Sequence, residues 1–273
     1  MQAPETAAMN ALVTGHAGYI GGVLADQLAA AGHDVVGFDH SADPAQDIRD
    51  ADRVRSLFSD HEFDLVYHLA AEADVWVDDW QYLFENNVAG TVNVVAAARD
   101  AGVPVVFGSS VAATGEFNRY GRSKDLAEQA VSEYEQVTTV RFPNVVGLDA
   151  PRGQAQDMIE EGLAGEIEVW GNGEIRRSYV DVADLCSTLI ELGTGSLTVE
   201  TPTSISGRTT TNRELGELIQ AVVEAETGSE PDLSLVDRSP PSPQSLTADG
   251  FRVQNPTPLT ESIRSQVRAT RDE

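Results

Sequence analysis

Short apolar runs alternate with longer stretches of helical period through the first half of the chain. Ala11–Val13, Val35–Phe38, Leu65–Leu69, Val105–Phe107 and Thr138–Phe142 read as buried strands. Between them lie a glycine-rich turn and a helix running to about Ala31, a long helix from Trp80 to Ala101, and another from Tyr120 to about Glu135. Gly32 ends the first helix, and Gly102 with Pro104 stops the second. Strand and helix in alternation predict an α/β fold, a Rossmann-type doubly wound parallel sheet covered by helices. After Pro143 the pattern loosens into short helices and strands, a smaller C-terminal α/β lobe. There Thr211 and Glu214 fit a capping box opening a helix to about Glu226, Pro231–Pro243 reads as a loop, and Thr257–Val267 as a last short helix. The expected organisation is a loose extension over Met1–Ala8, a large domain over 9–143, and a lobe over 144–273 that returns some segments to the first domain.

Composition narrows the setting. A hydrophobic fraction of 41% over 273 residues is enough for a real core. No apolar run reaches the ~18 residues that a membrane-spanning helix needs. The start, MQAPETAAMN, has neither a basic segment nor an apolar h-region, so a cytoplasmic protein is expected. Cys186 stands alone, which excludes an internal disulfide and reads as a small buried residue on a helix.

Charge changes the picture more. Forty-four acidic residues oppose eighteen basic ones, a net charge of −26, and the acids are spread along the whole chain. Such self-repulsion destabilises a compact state unless salt screens it, which points to a halophilic protein. Without a basic stripe, nucleic-acid binding is not expected. Lys124 is the only lysine, the other basic residues being arginines.

Two constellations carry chemistry. Gly15, Gly18 and Gly21 form GxxGxxG between the first strand and its helix, which opens with Tyr19 and Ile20. Glycine there lets backbone approach a pyrophosphate, and the helix N-terminus supplies amide donors. Asp39 ends the next strand eighteen residues after Gly21, where a carboxylate binds ribose hydroxyls and repels an extra phosphate. The cofactor expected is therefore NAD, with Asp47 and Ile48 at its adenine edge. Tyr120 and Lys124 are spaced i, i+4 on one helix face. A free tyrosine titrates near ~10 and is a poor base; a neighbouring ammonium favours its phenolate. A lysine retained only here fits a group that must hold a ribose hydroxyl while polarising the tyrosine. Ser109 and Ser110 close the strand Val105–Phe107, and a hydroxyl at a strand's carboxyl end faces the ligand crevice.

Taken together, TGHAGYIG, Asp39, HLAA, NNVAGT, GSSVAATG, YGRSK, RFPNVVG and RRSYVDVADL resemble the extended short-chain dehydrogenase/reductases, and within them the NAD-dependent epimerase/dehydratase family, typified by UDP-glucose 4-epimerase. The resemblance spans nearly the whole chain. It implies Ser110 as the catalytic serine, Tyr120 as acid/base and Lys124 as its ribose-binding partner. It further implies that Leu69, Ala70 and Ala71 line the cofactor, that Asn87 supports the loop beneath it, and that Pro143 borders the nicotinamide. Asn144 and Arg177 fall where relatives hold a nucleotide-sugar, the arginine on its diphosphate. A homodimer through helices Trp80–Ala101 and Tyr120–Glu135 is implied in the same way.

The residues directly after the serine narrow the reaction. Dehydratases of the family carry an Asp-Glu pair there, whereas Val111 and Ala112 cannot act as acid and base. The Glu usual in decarboxylases is missing too. Epimerisation then remains, by transient oxidation of a sugar hydroxyl, alongside plain dehydrogenation of a free sugar, uronic acid or sugar phosphate. The second reading draws on a shortened segment, ATGEFNR, before Tyr120, about fifteen to twenty residues fewer than relatives have by the same resemblance. A cofactor-binding regulatory protein without turnover is a third reading, opposed by the intact Ser110–Tyr120–Lys124 set. His16, His33, His40, His61 and His68 show no metal-ligand spacing and read as structural, so no metal is expected; Asp78–Asp79 reads as solvated surface, and Trp76, Trp80 and Trp170 as packing residues.

Overall fold

The structure is a computed structural model that describes residues 8–115, 118–238 and 245–272. Apart from Ala8, the extension expected over Met1–Ala8 lies outside the described residues. The chain divides into two compact units, Met1–Arg141 with Cys186–Thr203, and Phe142–Leu185 with Ser204–Glu273. The first break thus falls between Arg141 and Phe142, against an expected 143/144, and the returning segment is Cys186–Thr203.

The first unit runs β1 (Asn10–Thr14), α1 (Tyr19–Ala30), β2 (Asp34–Phe38), α2 (Ala51–Asp60), β3 (Leu65–His68), α3 (Trp80–Leu83), α4 (Gly90–Ala101), β4 (Val105–Ser110), α5 (Arg119–Val131) and β5 (Val137–Phe142). Its strands lie in the order β2-β1-β3-β4-β5. β1 pairs in parallel with both β2 (Ala11↔Val35) and β3 (Ala11↔Leu65), and β3 with β4 (Val66↔Val105). Successive crossovers leave β1 on opposite sides, so a crevice opens at its carboxyl end. Leu12, Val66 and Phe107 from the sheet pack with Val54 of α2, Val94 and Val95 of α4, and Ala127 and Val131 of α5. On α1, Leu24 and Leu28 are fully buried. Cys186, as expected, is a buried helical residue, and its thiol donates to Ile20 O at 3.6 Å.

α3 and α4 are one continuous helix, as the sequence predicts, but Phe84–Ala89 between them is a wider π-helical turn. α2 escaped the sequence reading; Asp50 caps it by accepting from the amides of Asp52 and Arg53, and only Val54 is buried. Trp76 and Trp80 are not packing residues: they are 65% and 36% exposed, with Phe84, on the surface around α3. Asp78 and Asp79 have local partners, Arg119 for the first and the Tyr82 amide at the α3 N-terminus for the second.

The second unit holds β6 (Asn144–Val146), α6 (Gln154–Ala164), β7 (Glu166–Trp170) and β8 (Arg176–Asp181), then α7 (Val182–Gly193), which from Cys186 on belongs to the first unit. β9 (Thr203–Ser206), β10 (Arg208–Thr211), α8 (Asn212–Thr227), β11 (Asp232–Val236), β12 (Phe251–Arg252) and α9 (Leu259–Asp272) follow. β8 lies between antiparallel β10 and parallel β6. The capping box is present: Thr211 Oγ1 accepts from Glu214 N at 3.1 Å, and Glu214 Oε2 from Thr211 N at 2.8 Å. Within the loop expected over Pro231–Pro243, Asp232–Val236 is instead a strand paired with β7, because Leu233 and Leu235 find Ile167 and Val169 beside them. Residues 239–244 lie outside the described residues.

Candidate active site

The crevice at β1 is built by backbone proximity. Gly15 has φ +77°, and a Cβ there would stand 2.7 Å from Ala70 N. One added at Gly21, in the first turn of α1, would stand 2.0 Å from Gly15 O. Two side-chain-free residues therefore let the turn, the helix start and the loop after β3 converge. α1 begins after Gly18, at Tyr19 and Ile20, with no side-chain cap and no acid in its first turn. Its amide dipoles are left to a ligand, and the cradle fits a dinucleotide pyrophosphate.

Asp39, directly after β2, has only 9% of its surface exposed and faces this turn. Its carboxylate accepts from Ala17 N at 3.1 Å and Ser41 N at 2.8 Å. Asp47 and Ile48 lie between β2 and α2. The Asp47 carboxylate is gripped by Arg49 (2.9 Å to Nε), which holds it below the usual carboxylate range. Ile48 is buried against Gly90, and its carbonyl accepts from Asn93 Nδ2 at 2.9 Å.

Leu69, Ala70 and Ala71 leave β3 beside the glycine turn. Leu69 N donates to Thr14 O at 3.1 Å and Ala70 N to Thr14 Oγ1 at 3.3 Å. From there a hydrogen-bonded chain runs inward, and its proton directions can be assigned. Thr91 Oγ1 donates to Asn87 O at 2.7 Å, so it accepts from His68 Nε2 at 2.9 Å. His68 Nδ1 then accepts from Thr14 Oγ1 at 2.7 Å. Complete burial, with a lesser contribution from Lys124, lowers the His68 pKa to about 3 and keeps the ring neutral.

Asn87 sits in the π-helical turn. Its side chain accepts from Glu72 N at 2.8 Å and donates to Glu72 O at 2.9 Å and Ser123 Oγ at 2.8 Å. Ser123 in turn donates to Tyr120 O at 2.7 Å. One amide thus ties the loop after Ala71 to the helix that carries Tyr120 and Lys124.

β4 delivers Gly108, Ser109 and Ser110. Ser110 Oγ accepts from Ala112 N at 3.2 Å and caps a single 3-10 turn, Val111–Thr114, where Val111 and Ala112 are buried. Glu116 and Phe117 lie outside the described residues. Asn118 then caps α5 by accepting from Gly121 N at 2.7 Å. Tyr120, in the first turn, is partly exposed. Lys124, one turn on, is 2% exposed; its ammonium donates to Gly108 O at 2.8 Å and lies 4.7 Å from the Phe107 ring centroid. Burial lowers its pKa from 10.5 to about 8, against the opposing pull of Glu128. A phenol, a desolvated ammonium and a serine hydroxyl at the strand end suit proton exchange with a carbinol.

Three expected residues belong to the second unit. Pro143 is buried between β5 and β6. Asn144 opens β6 opposite Tyr179 of β8 and donates through Nδ2 to Ser178 O at 3.0 Å. Arg177, on β8, is 7% exposed and donates to Arg176 O at 3.0 Å; desolvation draws its pKa below the ordinary arginine value. Asn144 and Arg177 thus lie on adjacent strands, with Asn144 opposite Tyr179, two residues beyond Arg177.

The sequence reading did not single out Glu128 and Arg141. Glu128 is buried, accepts from Ser109 Oγ at 2.5 Å, and is gripped by Arg141 (Nε at 3.0 and 3.1 Å, Nη2 at 2.6 Å). Its place four residues after Lys124 was the available signal.

Residues 11–194 match the model of the NAD dependent epimerase/dehydratase family. The UDP-glucose 4-epimerase of Mycolicibacterium smegmatis is 32% identical over 230 residues, 68% of this chain and 73% of that protein. The UDP-glucose 4-epimerase of Thermus thermophilus, solved in complex with NAD, superposes with a TM-score of 0.80 at 25% identity, covering 96% of this chain and 99% of the other. That of Thermotoga maritima, solved with UDP-glucose, gives a TM-score of 0.80 at 24% identity, covering 97% and 99%.

Proposed function

The chain belongs to the NAD-dependent epimerase/dehydratase family, and on that premise we propose that it is a nucleotide-sugar epimerase of the UDP-hexose 4-epimerase type. The observation that carries this reading is the buried, apolar Val111–Ala112 pair directly after Ser110, beside a complete Ser110–Tyr120–Lys124 set. No carboxylate stands where elimination of water would need an acid and a base.

NAD is the cofactor; Gly15, Gly18 and Gly21 with the amides of Tyr19 and Ile20 would hold its pyrophosphate, Asp39 its adenosine ribose, Asp47 and Ile48 its adenine, Leu69, Ala70 and Ala71 its inner side, and Pro143 its nicotinamide. When bound, it supplies a hydride acceptor and donor. The protein's own groups manage the proton. With a pKa of about 8, Lys124 is an ammonium at neutral pH, and its charge favours the Tyr120 phenolate. Tyr120 takes the proton of the sugar hydroxyl and later gives it back. Ser110 Oγ donates to the sugar oxygen. Asn144 and Arg177 would hold the nucleotide diphosphate. The short connection from Ser110 to α5 favours one rival, a dehydrogenase acting on a free sugar, uronic acid or sugar phosphate.

Interconversion of UDP-glucose and UDP-galactose, without net NADH, is the expected result. Stoichiometric NADH on free sugars would replace this reading with the rival. Tyr120→Phe is expected to abolish turnover and retain NAD binding; an active variant would remove Tyr120 from its role.

A further inference from the structure

At the carboxyl end of β4, Ser109, Glu128 and Arg141 are hydrogen-bonded together, and Lys124 is bonded to the neighbouring Gly108. The strand and α5 are joined there twice, by Lys124 Nζ to Gly108 O at 2.8 Å and by Ser109 Oγ to Glu128 Oε1 at 2.5 Å. Lys124 and Glu128 are i, i+4 on α5, both buried and on one face. β5 contributes Arg141, whose two-nitrogen grip leaves the Glu128 carboxylate little freedom to turn.

We propose that Glu128 is a positioning residue for the proton-exchange site, a fixed counter-charge that, locked by Arg141 and Ser109, holds Lys124 as an ammonium against Gly108. The inference rests on the role given to Lys124 above. Every charged or titratable group facing the ammonium enters the balance. Glu128 on α5 favours the charged form. His68 on β3, stacked on the same Phe107 ring at 5.5 Å, is kept neutral. Arg141 on β5 acts through Glu128, with Asp125 of α5 favouring its charge. Tyr120 stands one turn before Lys124. Of these groups Glu128 is the carboxylate that acts on the ammonium, while Asp125 acts on Arg141, which shares Glu128.

The sole lysine gives a direct test. Full-length protein grown on lysine carrying 13C at Cε shows one lysine side-chain signal, whose chemical shift against pH reads Lys124 alone. Glu128→Gln keeps the shape and an acceptor for Ser109 but removes the charge; the midpoint is expected to fall by about one pH unit. Arg141→Gln releases Glu128 to Lys124, and the midpoint is expected to rise. A merely structural role would admit water in either variant and raise both midpoints toward 10.5. A rise or no change in Glu128→Gln would overturn the proposal. If that variant does not fold, Glu128→Met, which removes the charge and keeps an apolar filler, replaces it, with the same fall expected and a rise or no change overturning the proposal. Turnover plays no part in this readout, so failure of the epimerase reading and failure of this one are separately visible.

Discussion

Removing the ammonium on which the proposed chemistry depends is predicted to stabilise the protein. Lys124 is buried with its pKa lowered from 10.5 to about 8. As pH falls from 10.5, the unfolded chain takes up this proton first, and the folded protein only near 8. Stability contributed by this group therefore rises with pH across that window and sits at its minimum below 8. At about 1.4 kcal/mol per pH unit, keeping the ammonium buried costs about 3 kcal/mol at neutral pH. Lys124→Met retains the packing on Phe107 but leaves Gly108 O without its donor, a loss of about 1 kcal/mol. The net expectation at pH 7 is a gain of about 2 kcal/mol, with no catalytic activity. At pH 10 most of the cost is absent from the wild type as well, and the advantage should vanish. Urea unfolding of both proteins at the two pH values, at one fixed KCl concentration, measures this directly. A variant less stable than wild type at pH 7, or a difference that does not change with pH, would refute the reasoning.

Three further outcomes are expected. Gly21→Ala puts a methyl group into Gly15 O; NAD binding by calorimetry should be lost, with destabilisation of roughly 1–3 kcal/mol, and unaltered binding would contradict the cradle. Asp39→Ser should weaken NAD by about tenfold or more and narrow the preference over NADP; fluorescence titration of both reduced cofactors decides it. With a net charge of −26, the unfolding midpoint should climb steeply from dilute buffer to molar KCl, and light scattering of the same samples should return a dimer mass. Full stability without salt would end the halophilic reading, and a monomeric mass in high salt the dimeric one.

What was legible in the sequence was whatever repeats locally. The strands of the first unit, the glycine turn, Asp39 and the Tyr120–Lys124 spacing all follow from patterns a few residues long. α2 was missed because ADRVRSLFSD buries only Val54 and so carries little apolar signal. β11 reads as loop in the sequence because its five residues stand beside a proline-rich stretch. Trp76 and Trp80 read as packing residues by residue type alone, whereas burial is decided by neighbours. The Thr14–His68–Thr91–Asn87 chain draws on three separate elements, and no single stretch announces it.

The π-helical turn has a consequence best put in terms of chain length. A π turn holds one more residue than the α-helix it interrupts. Deleting one residue within Phe84–Ala89 would heal the helix and improve its backbone geometry. It would also rotate everything before it by about 100° relative to α4, swinging Trp80 and Phe84 to a new face and breaking the register that sets Asn87 against Glu72 and Ser123. Along this helix the number of residues, and not only their identity, is part of the proposed active site.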